Sequence, residues 1–176
     1  IDIAIQGVTA SSVADDVPEP ELESPPVSAL GDLWRLGPHR LLCGDARNPA
    51  AYTQLMGDER AAVVFTDPPY NVPIHGHVSG LGQATHDEFA MASGEMSPAE
   101  FTAFLTSICQ QLAAFSTDGS LHYICMDWRH LGELLAAGNT VYAELKNLCV
   151  WAKTNGGMGS LYRSQHELVF VFKHGL

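Results

Sequence analysis

A short apolar run that ends in two consecutive prolines constrains the fold of this chain more than any other feature. Residues Ala61–Thr66 read AAVVFT, which is typical of a β-strand covered on both faces. The residues Asp67-Pro68-Pro69-Tyr70 follow directly. Because each proline fixes its φ angle and lacks an N–H donor, the strand is expected to end there in a rigid turn. Ligands of open α/β sheets bind at the carboxyl ends of strands, so this turn is the first candidate for a binding site.

Strand-like and helix-like segments alternate along the rest of the chain. Asn48-Pro49 and Ser97-Pro98 are typical helix starts, and the first of these helices is expected to stop at Gly57. The sequence also predicts a hairpin over residues 33–43, a short helix after Asp127 that ends at Gly138, and strands at Ser120–Met126, Leu145–Ala152 and Glu167–Lys173. This order predicts an α/β domain with a mostly parallel sheet. The last two strands are expected to pair antiparallel, because no helix separates them.

Negative charge is concentrated at the start of the chain. The 176 residues include 9 Lys+Arg and 20 Asp+Glu, a net charge of −11, which argues against a general nucleic-acid-binding surface. Residues 1–34 hold seven of the acids and no Lys or Arg, so the rest of the chain carries only −4. The stretch 14–26 (ADDVPEPELESPP) is Pro-rich and lacks aromatics. We therefore expect residues 1–30 to form an extended acidic linker.

The cysteines and histidines indicate neither a disulfide framework nor a metal centre. The four cysteines are widely spaced and none forms a CxxC pair, which favours reduced thiols and a cytoplasmic location. Three histidines (His75, His77 and His86) lie in a long Gly-rich loop over residues 71–96, but no Cys or carboxylate completes a ligand spacing. No metal is expected. Because no apolar run approaches about 20 residues, no membrane partner is expected either.

The residues of the Asp67–Tyr70 turn suit the recognition of a planar base with an exocyclic amine. The two prolines hold the carbonyl of Pro68 in a fixed direction, and Asp67 adds a carboxylate beside it. Two acceptors side by side match a group that carries two N–H donors. Tyr70 supplies an aromatic face on which a base can stack, an interaction of roughly 1–3 kcal/mol.

Several segments, in order, resemble the S-adenosylmethionine-dependent amino-group DNA methyltransferases of the beta class, in which the catalytic motif precedes the cofactor motif. Residues 67–71 (DPPYN) match the family's catalytic motif, and 41–46 (LLCGDA) are similar to its LxxGD segment. Residues 151–153 (WAK) and 163–167 (RSQHE) resemble its later strand pair. The resemblance covers about residues 31–176. It implies a Rossmann-like methyltransferase fold and a place among restriction–modification enzymes.

The resemblance also implies a reaction and a set of roles. The reaction is methyl transfer from S-adenosylmethionine to N6 of an adenine flipped out of double-stranded DNA. Asp67, Pro68, Pro69 and Tyr70 would form the catalytic site, with Asp67 and the Pro68 carbonyl accepting from the amine. Asp45, Ala46 and Asp67 would contact the cofactor. The substrate would be held by Tyr70, Asn71, Lys153, Arg163 and His166.

The family's cofactor fingerprint, a GxG turn that opens a helix, does not occur in these residues. We therefore expect residues 31–176 to be the catalytic-motif half of a methyltransferase domain, inactive by itself, with the target-recognition segment also absent. A further domain before the acidic linker is compatible with this organisation. Alternative readings are an N4-cytosine DNA methyltransferase, a methyltransferase of RNA or of a protein glutamine amide, and a non-catalytic interaction module with a degenerate methyltransferase fold. The oligomeric state stays open.

Overall fold

A computed structural model describes residues 27–73, 89–154, 156 and 161–176. Nearly all of the expected acidic linker and most of the loop with His75, His77 and His86 lie outside the described residues. The described part begins with a hairpin of two strands, β1 (Leu33–Leu36) and β2 (His39–Leu42), which pair antiparallel. This hairpin confirms the one predicted over residues 33–43.

The first helix, α1 (Pro49–Met56), has the boundaries that its end signals predict. The Asn48 side chain accepts a hydrogen bond from the backbone N–H of Ala50, and Pro49 occupies the first turn. Gly57 ends the helix with a φ of 59°, a left-handed conformation that glycine adopts without a steric penalty. The chain then enters the apolar strand β3 (Ala61–Thr66).

Strand β3 belongs to a four-stranded sheet with β4 (Ser116–Met126), β5 (Glu144–Ala152) and β6 (His166–Lys173), in the order β3-β4-β6-β5. β3 and β4 are parallel, whereas β6 pairs antiparallel with both β4 and β5. Three strands therefore run in one direction and β6 runs against them. The structure confirms the α/β class and the C-terminal antiparallel pair, and it shows a mixed sheet.

Two helices cover one face of this sheet. A capping box between Ser97 and Glu100 starts α2 (Pro98–Ala114), and a three-residue 3-10 turn capped by Asp127 leads into α3 (Leu131–Val141). The apolar side chains of both helices pack on the sheet and form the core, chiefly Phe101, Phe104, Leu105, Ile108, Leu112, Leu134, Ile124, Met126, Phe170 and Phe172. Helix α3 extends three residues past Gly138, its predicted end.

The expectation that β3 is covered on both faces is wrong for the described residues. Val63 and Phe65 are 62% and 68% exposed, whereas Val64 packs against the core. The reason is the position of β3 at the edge of the sheet, combined with the placement of α2 and α3 on the same face. A continuous apolar run predicts a strand, but it does not reveal how many faces are covered. None of the described helices is long and apolar enough to span a membrane.

Candidate functional site

The Asp67–Tyr70 turn lies where the carboxyl ends of β3, β4 and β5 meet the start of β6. Asp67 is exposed, Pro68 is buried, and Pro69 and Tyr70 are half-buried. The two prolines therefore anchor the turn against the protein while the carboxylate of Asp67 faces solvent. This arrangement leaves the acidic group approachable from outside the sheet edge.

The hydroxyl of Tyr70 donates a hydrogen bond to Oδ1 of Asp67. The pKa of Tyr70 is raised far above its ordinary value, first by burial and then by hydrogen bonding to Asp67 and to Glu167, with the negative charges of both carboxylates adding to the effect. Tyr70 is therefore protonated across the physiological pH range and acts as a donor. Of these two carboxylates, Asp67 is the one that accepts the single hydroxyl proton in the structure.

Glu167 forms an ion pair with Lys153 beside this tyrosine. The Glu167 side chain is 12% exposed and that of Lys153 is 41% exposed. Glu167 lies opposite Trp151 in the β5–β6 ladder, and the Lys153 ammonium lies 5.5 Å from the centre of the Trp151 ring. Sequence reasoning included Lys153 among the site residues but missed Glu167, although it belongs to the RSQHE segment that resembles the family.

Cys125, on β4, lies close to the same charges. Burial raises the pKa of its thiol to about 11, and the charges of Asp67 and Glu167 act in the same direction while Lys153 opposes them. The structure therefore brings together Asp67, Tyr70, Lys153 and Glu167, which we name the carboxyl-edge cluster. Cys125 is a buried, neutral thiol near these charges.

Asn71 ties the motif to the segment that precedes α2. Its side-chain oxygen accepts from the backbone N–H groups of Gly94 and Met96, and its side-chain nitrogen donates to the carbonyl of Met96. The residue is buried, and its φ of 55° is a left-handed conformation that asparagine tolerates better than most residues. Its amide is thus engaged within the protein, and the substrate contact stays a prediction.

Asp45 and Ala46 line a separate small cavity between β2 and α1. The cavity has a volume of about 150 Å³, and its other lining residues are Leu42, Gly44, Ala51, Tyr52 and Leu55. Both carboxylate oxygens of Asp45 accept from the Arg47 guanidinium, and this hydrogen bonding lowers the pKa of Asp45. Within the described residues, no hydrogen bond or ion pair joins this cavity to the carboxyl-edge cluster.

The two remaining predicted substrate residues lie at the same edge of the sheet but outside the cluster. Arg163 is exposed and lies next to Gly156, and His166 is exposed at the start of β6, opposite Ala152. Their roles stay predictions. The described ranges contain no group of three or more His, Cys, Asp or Glu side chains that could hold a metal ion.

A second polar cluster lies towards the opposite end of the strands, away from the carboxyl edge, and we name it the buried histidine cluster. His122 on β4 is fully buried, with Nε2 3.1 Å from the Ser120 hydroxyl and Nδ1 2.9 Å from the Tyr142 hydroxyl. Burial, with a smaller contribution from the nearby His174, lowers the pKa of His122 to about 4. The ring is therefore neutral at pH 7, and the cluster is closed to a substrate. Burial, with the nearby Cys109 of α2 acting in the same direction, raises the pKa of Tyr142.

No protein-family model and no curated protein matches this chain. Twenty-four chains of solved structures match, and one of them is the crystal structure of the M1.HpyAVI–SAM complex, with 12% sequence identity and a TM-score of 0.43. The match covers 72% of this chain and 48% of that chain, so the present chain spans about half of that structure's length. Similarity at this level assigns no function to this chain.

Proposed function

We propose that this chain forms the catalytic-motif half of a DNA methyltransferase, which transfers a methyl group from S-adenosylmethionine to N6 of a flipped-out adenine. The observation that supports this most directly is the placement of Asp67 and Tyr70. A Pro-Pro turn holds them at the carboxyl edge of an α/β sheet, with the carboxylate exposed and the aromatic ring half-buried. This is the edge at which α/β sheets bind ligands.

The proposed chemistry follows from what these groups can accept. The lone pair of an adenine amine is conjugated with the ring, which makes N6 a poor nucleophile. Hydrogen bonds from the amine to the Asp67 carboxylate and to the Pro68 carbonyl would localise that lone pair as positive charge develops on nitrogen. Groups held in place before the reaction stabilise the transition state without reorganisation. Stacking on Tyr70 would hold the flipped base in the plane of these acceptors.

The size and lining of the cavity beside Asp45 can be compared with what the proposed cofactor needs. S-adenosylmethionine supplies the electrophilic methyl group when bound. Sites for whole ligands of this kind usually exceed about 300 Å³, whereas this cavity measures about 150 Å³. Apolar walls and one carboxylate fit the adenine ring with its amine, provided that Asp45 releases one of its bonds to Arg47. The remainder of the cofactor would need groups beyond these lining residues.

Double-stranded DNA is the proposed partner, and the base must leave the stack because N6 cannot be reached inside a duplex. Phosphate binding needs positive charge. Lys153 and Arg163, at the edge that holds the motif, are the residues of this chain that we assign to it. We also propose a cytoplasmic location, since all four cysteines are free thiols. A place in a restriction–modification system is proposed on the family resemblance alone.

The test is an assay of the full-length protein with unmodified DNA and labelled S-adenosylmethionine, followed by mass spectrometry of the nucleosides. The proposal predicts N6-methyladenine with the wild type and none with Asp67→Ala. The matched control is Asp58→Ala, which removes another exposed aspartate and is expected to leave the product unchanged. N4-methylcytosine would establish the cytosine alternative, since the same acceptors suit either amine. No methylated nucleoside from any DNA would overturn the proposal in favour of a non-catalytic module.

A further inference from the structure

We infer that Glu167 is a positioning residue of the proposed methyl transfer. It accepts a hydrogen bond from the Tyr70 hydroxyl when Asp67 accepts from the substrate amine. This inference rests on the proposed function and deepens it. It concerns a residue that neither the motif nor its resemblance assigns to the site.

The geometry places one donor between two acceptors. The Tyr70 hydroxyl donates to Asp67 in the structure. The sheet register brings Glu167 to the same place, because Thr66 pairs with Ile124 of β4 and the next β4 residues pair with β6 beside Glu167. The Glu167 carboxylate also contributes to the raised pKa of Tyr70. A phenol carries one proton and can donate one strong hydrogen bond at a time. While Asp67 holds Tyr70, its Oδ1 is shared between that hydroxyl and a substrate amine, and it is a weaker acceptor for the amine. Glu167 provides the tyrosine with a second acceptor.

The charge of Glu167 suits this role because Lys153 compensates it. The Glu167 carboxylate is largely buried and forms an ion pair with the Lys153 ammonium. The Lys153 ammonium offsets the repulsion between the Glu167 and Asp67 carboxylates, so Glu167 is available as an acceptor. The Trp151 ring beside Lys153 further limits where the ammonium can move.

The proposed exchange involves no covalent step. The proton stays on the Tyr70 oxygen throughout. Only the direction of its hydrogen bond changes, from Asp67 before substrate binds to Glu167 afterwards. Both Asp67 oxygens then become available to the amine, and the tyrosine ring stays fixed under the base. Without Glu167, freeing Asp67 would leave a half-buried hydroxyl without an acceptor, at a cost comparable to a lost hydrogen bond.

A double-mutant cycle on the full-length protein tests whether Glu167 acts through the Tyr70 hydroxyl. Glu167→Ala is expected to lower kcat about tenfold, with little change in KM, because a hydrogen bond to a charged group is lost. In a Tyr70→Phe background, where the ring stays and the hydroxyl is gone, the same change is expected to cost less than about twofold. Equal losses in both backgrounds would overturn the inference. Glu167→Met, which keeps the side-chain length and has no comparable acceptor, replaces Glu167→Ala in the cycle if the alanine variant does not fold.

A spectroscopic readout separates this inference from the proposed function. Protein labelled with [ζ-¹³C]tyrosine gives one signal for each tyrosine, five of them from these 176 residues, and Tyr70→Phe identifies the Tyr70 signal. Glu167→Gln is expected to shift the Tyr70 signal, whereas Glu144→Gln, in an exposed pair with Lys146, is expected to leave it in place. An unchanged Tyr70 signal would overturn the inference even in an active enzyme. A shifted signal in a protein without methyl transfer would overturn the proposed function and leave the Tyr70–Glu167 contact established.

Discussion

The strands of the four-stranded sheet have a tyrosine hydroxyl among polar partners at each of their two ends, which we call the carboxyl edge and the opposite edge. The electrostatic settings of the two hydroxyls are opposite. At the carboxyl edge, Tyr70 lies between two carboxylates, and an ammonium offsets one of them. At the opposite edge, Tyr142 bonds to the neutral ring of His122 inside the core. The first cluster is charged and partly open to solvent, whereas the second is neutral and sealed.

This difference indicates a division of roles between the two edges. An open, charged cluster can exchange hydrogen bonds with a substrate, because solvent and side chains compensate its charges. A sealed, neutral cluster cannot take up charge without a large cost, so it serves the fold. Strands β4 and β6 connect the two clusters, so the site is expected to stay formed in any variant in which the sheet is folded.

The largest effect on stability is expected from Gly138, next to the buried histidine cluster. A Cβ at this position would lie 2.5 Å from Cε1 of Phe172, whose ring stacks on Tyr142. Gly138→Ala is therefore expected to lower the free energy of unfolding by about 3 kcal/mol or more through overpacking. The control is Gly132→Ala in the same helix, where nothing lies within 4 Å and alanine favours the helix. Urea titration measures the free energy of unfolding of both variants. Equal values would contradict the close packing of Phe172 against Gly138.

A pH dependence of somewhat smaller size is expected from His122. Its pKa is about 4 in the folded protein against an ordinary value near 6.5, so the folded state binds fewer protons than the unfolded state. The stability that the neutral ring provides is complete above pH 6.5 and is lost as the pH falls towards 4, by about 2–3 kcal/mol. Besides His174, the groups packed around the ring are Ser120 and Tyr142, with Cys109 behind Tyr142.

Urea titrations at pH 7 and pH 4 measure this dependence. In His122→Gln, the loss of stability between the two pH values should shrink by most of that amount, because the titrating ring is gone. His39→Gln removes a histidine from the hairpin, and its loss of stability between pH 7 and pH 4 should stay as in the wild type. An unaltered pH dependence in His122→Gln would show that this residue is not the source.

A smaller effect is expected at the carboxyl edge, where Asn71 ties the motif to the segment before α2. Asn71→Ala removes three hydrogen bonds from a buried position and is expected to cost about 1–2 kcal/mol. Asn147→Ala removes an exposed local contact to the Leu148 N–H and is expected to cost much less. Thermal unfolding of both variants compares them, and indistinguishable unfolding temperatures would show that the tether is not needed for the fold.

Features that depend on local sequence could be predicted well. The Asn48 cap, the Ser97–Glu100 capping box and the apolar run of β3 each depend on neighbouring residues, and the structure has all three. The sequence predicts that α3 ends at Gly138, because glycine commonly ends helices. There the close approach of Phe172 requires a glycine inside the helix, which a sequence alone does not show.

Features that depend on strand order could not be predicted in this way. The exposure of Val63 and Phe65 follows from the edge position of β3, and the sheet order is a non-local property. Glu167 reaches Tyr70 only because β6 turns back between β4 and β5. The ion pair between Asp45 and Arg47 could not be predicted either, since the side chains of two residues in a loop can pair or point apart.

The most direct test of the division between the two edges is the single-turnover rate of methyl transfer in Asp67→Asn and His122→Gln, measured with the unfolding temperature of the same samples. We expect Asp67→Asn to slow the transfer at least about 100-fold, since a charged acceptor at the reacting amine is lost, while the unfolding temperature stays near that of the wild type. We expect His122→Gln to lower the unfolding temperature and to retain the rate. A near-wild-type rate in Asp67→Asn would contradict the account.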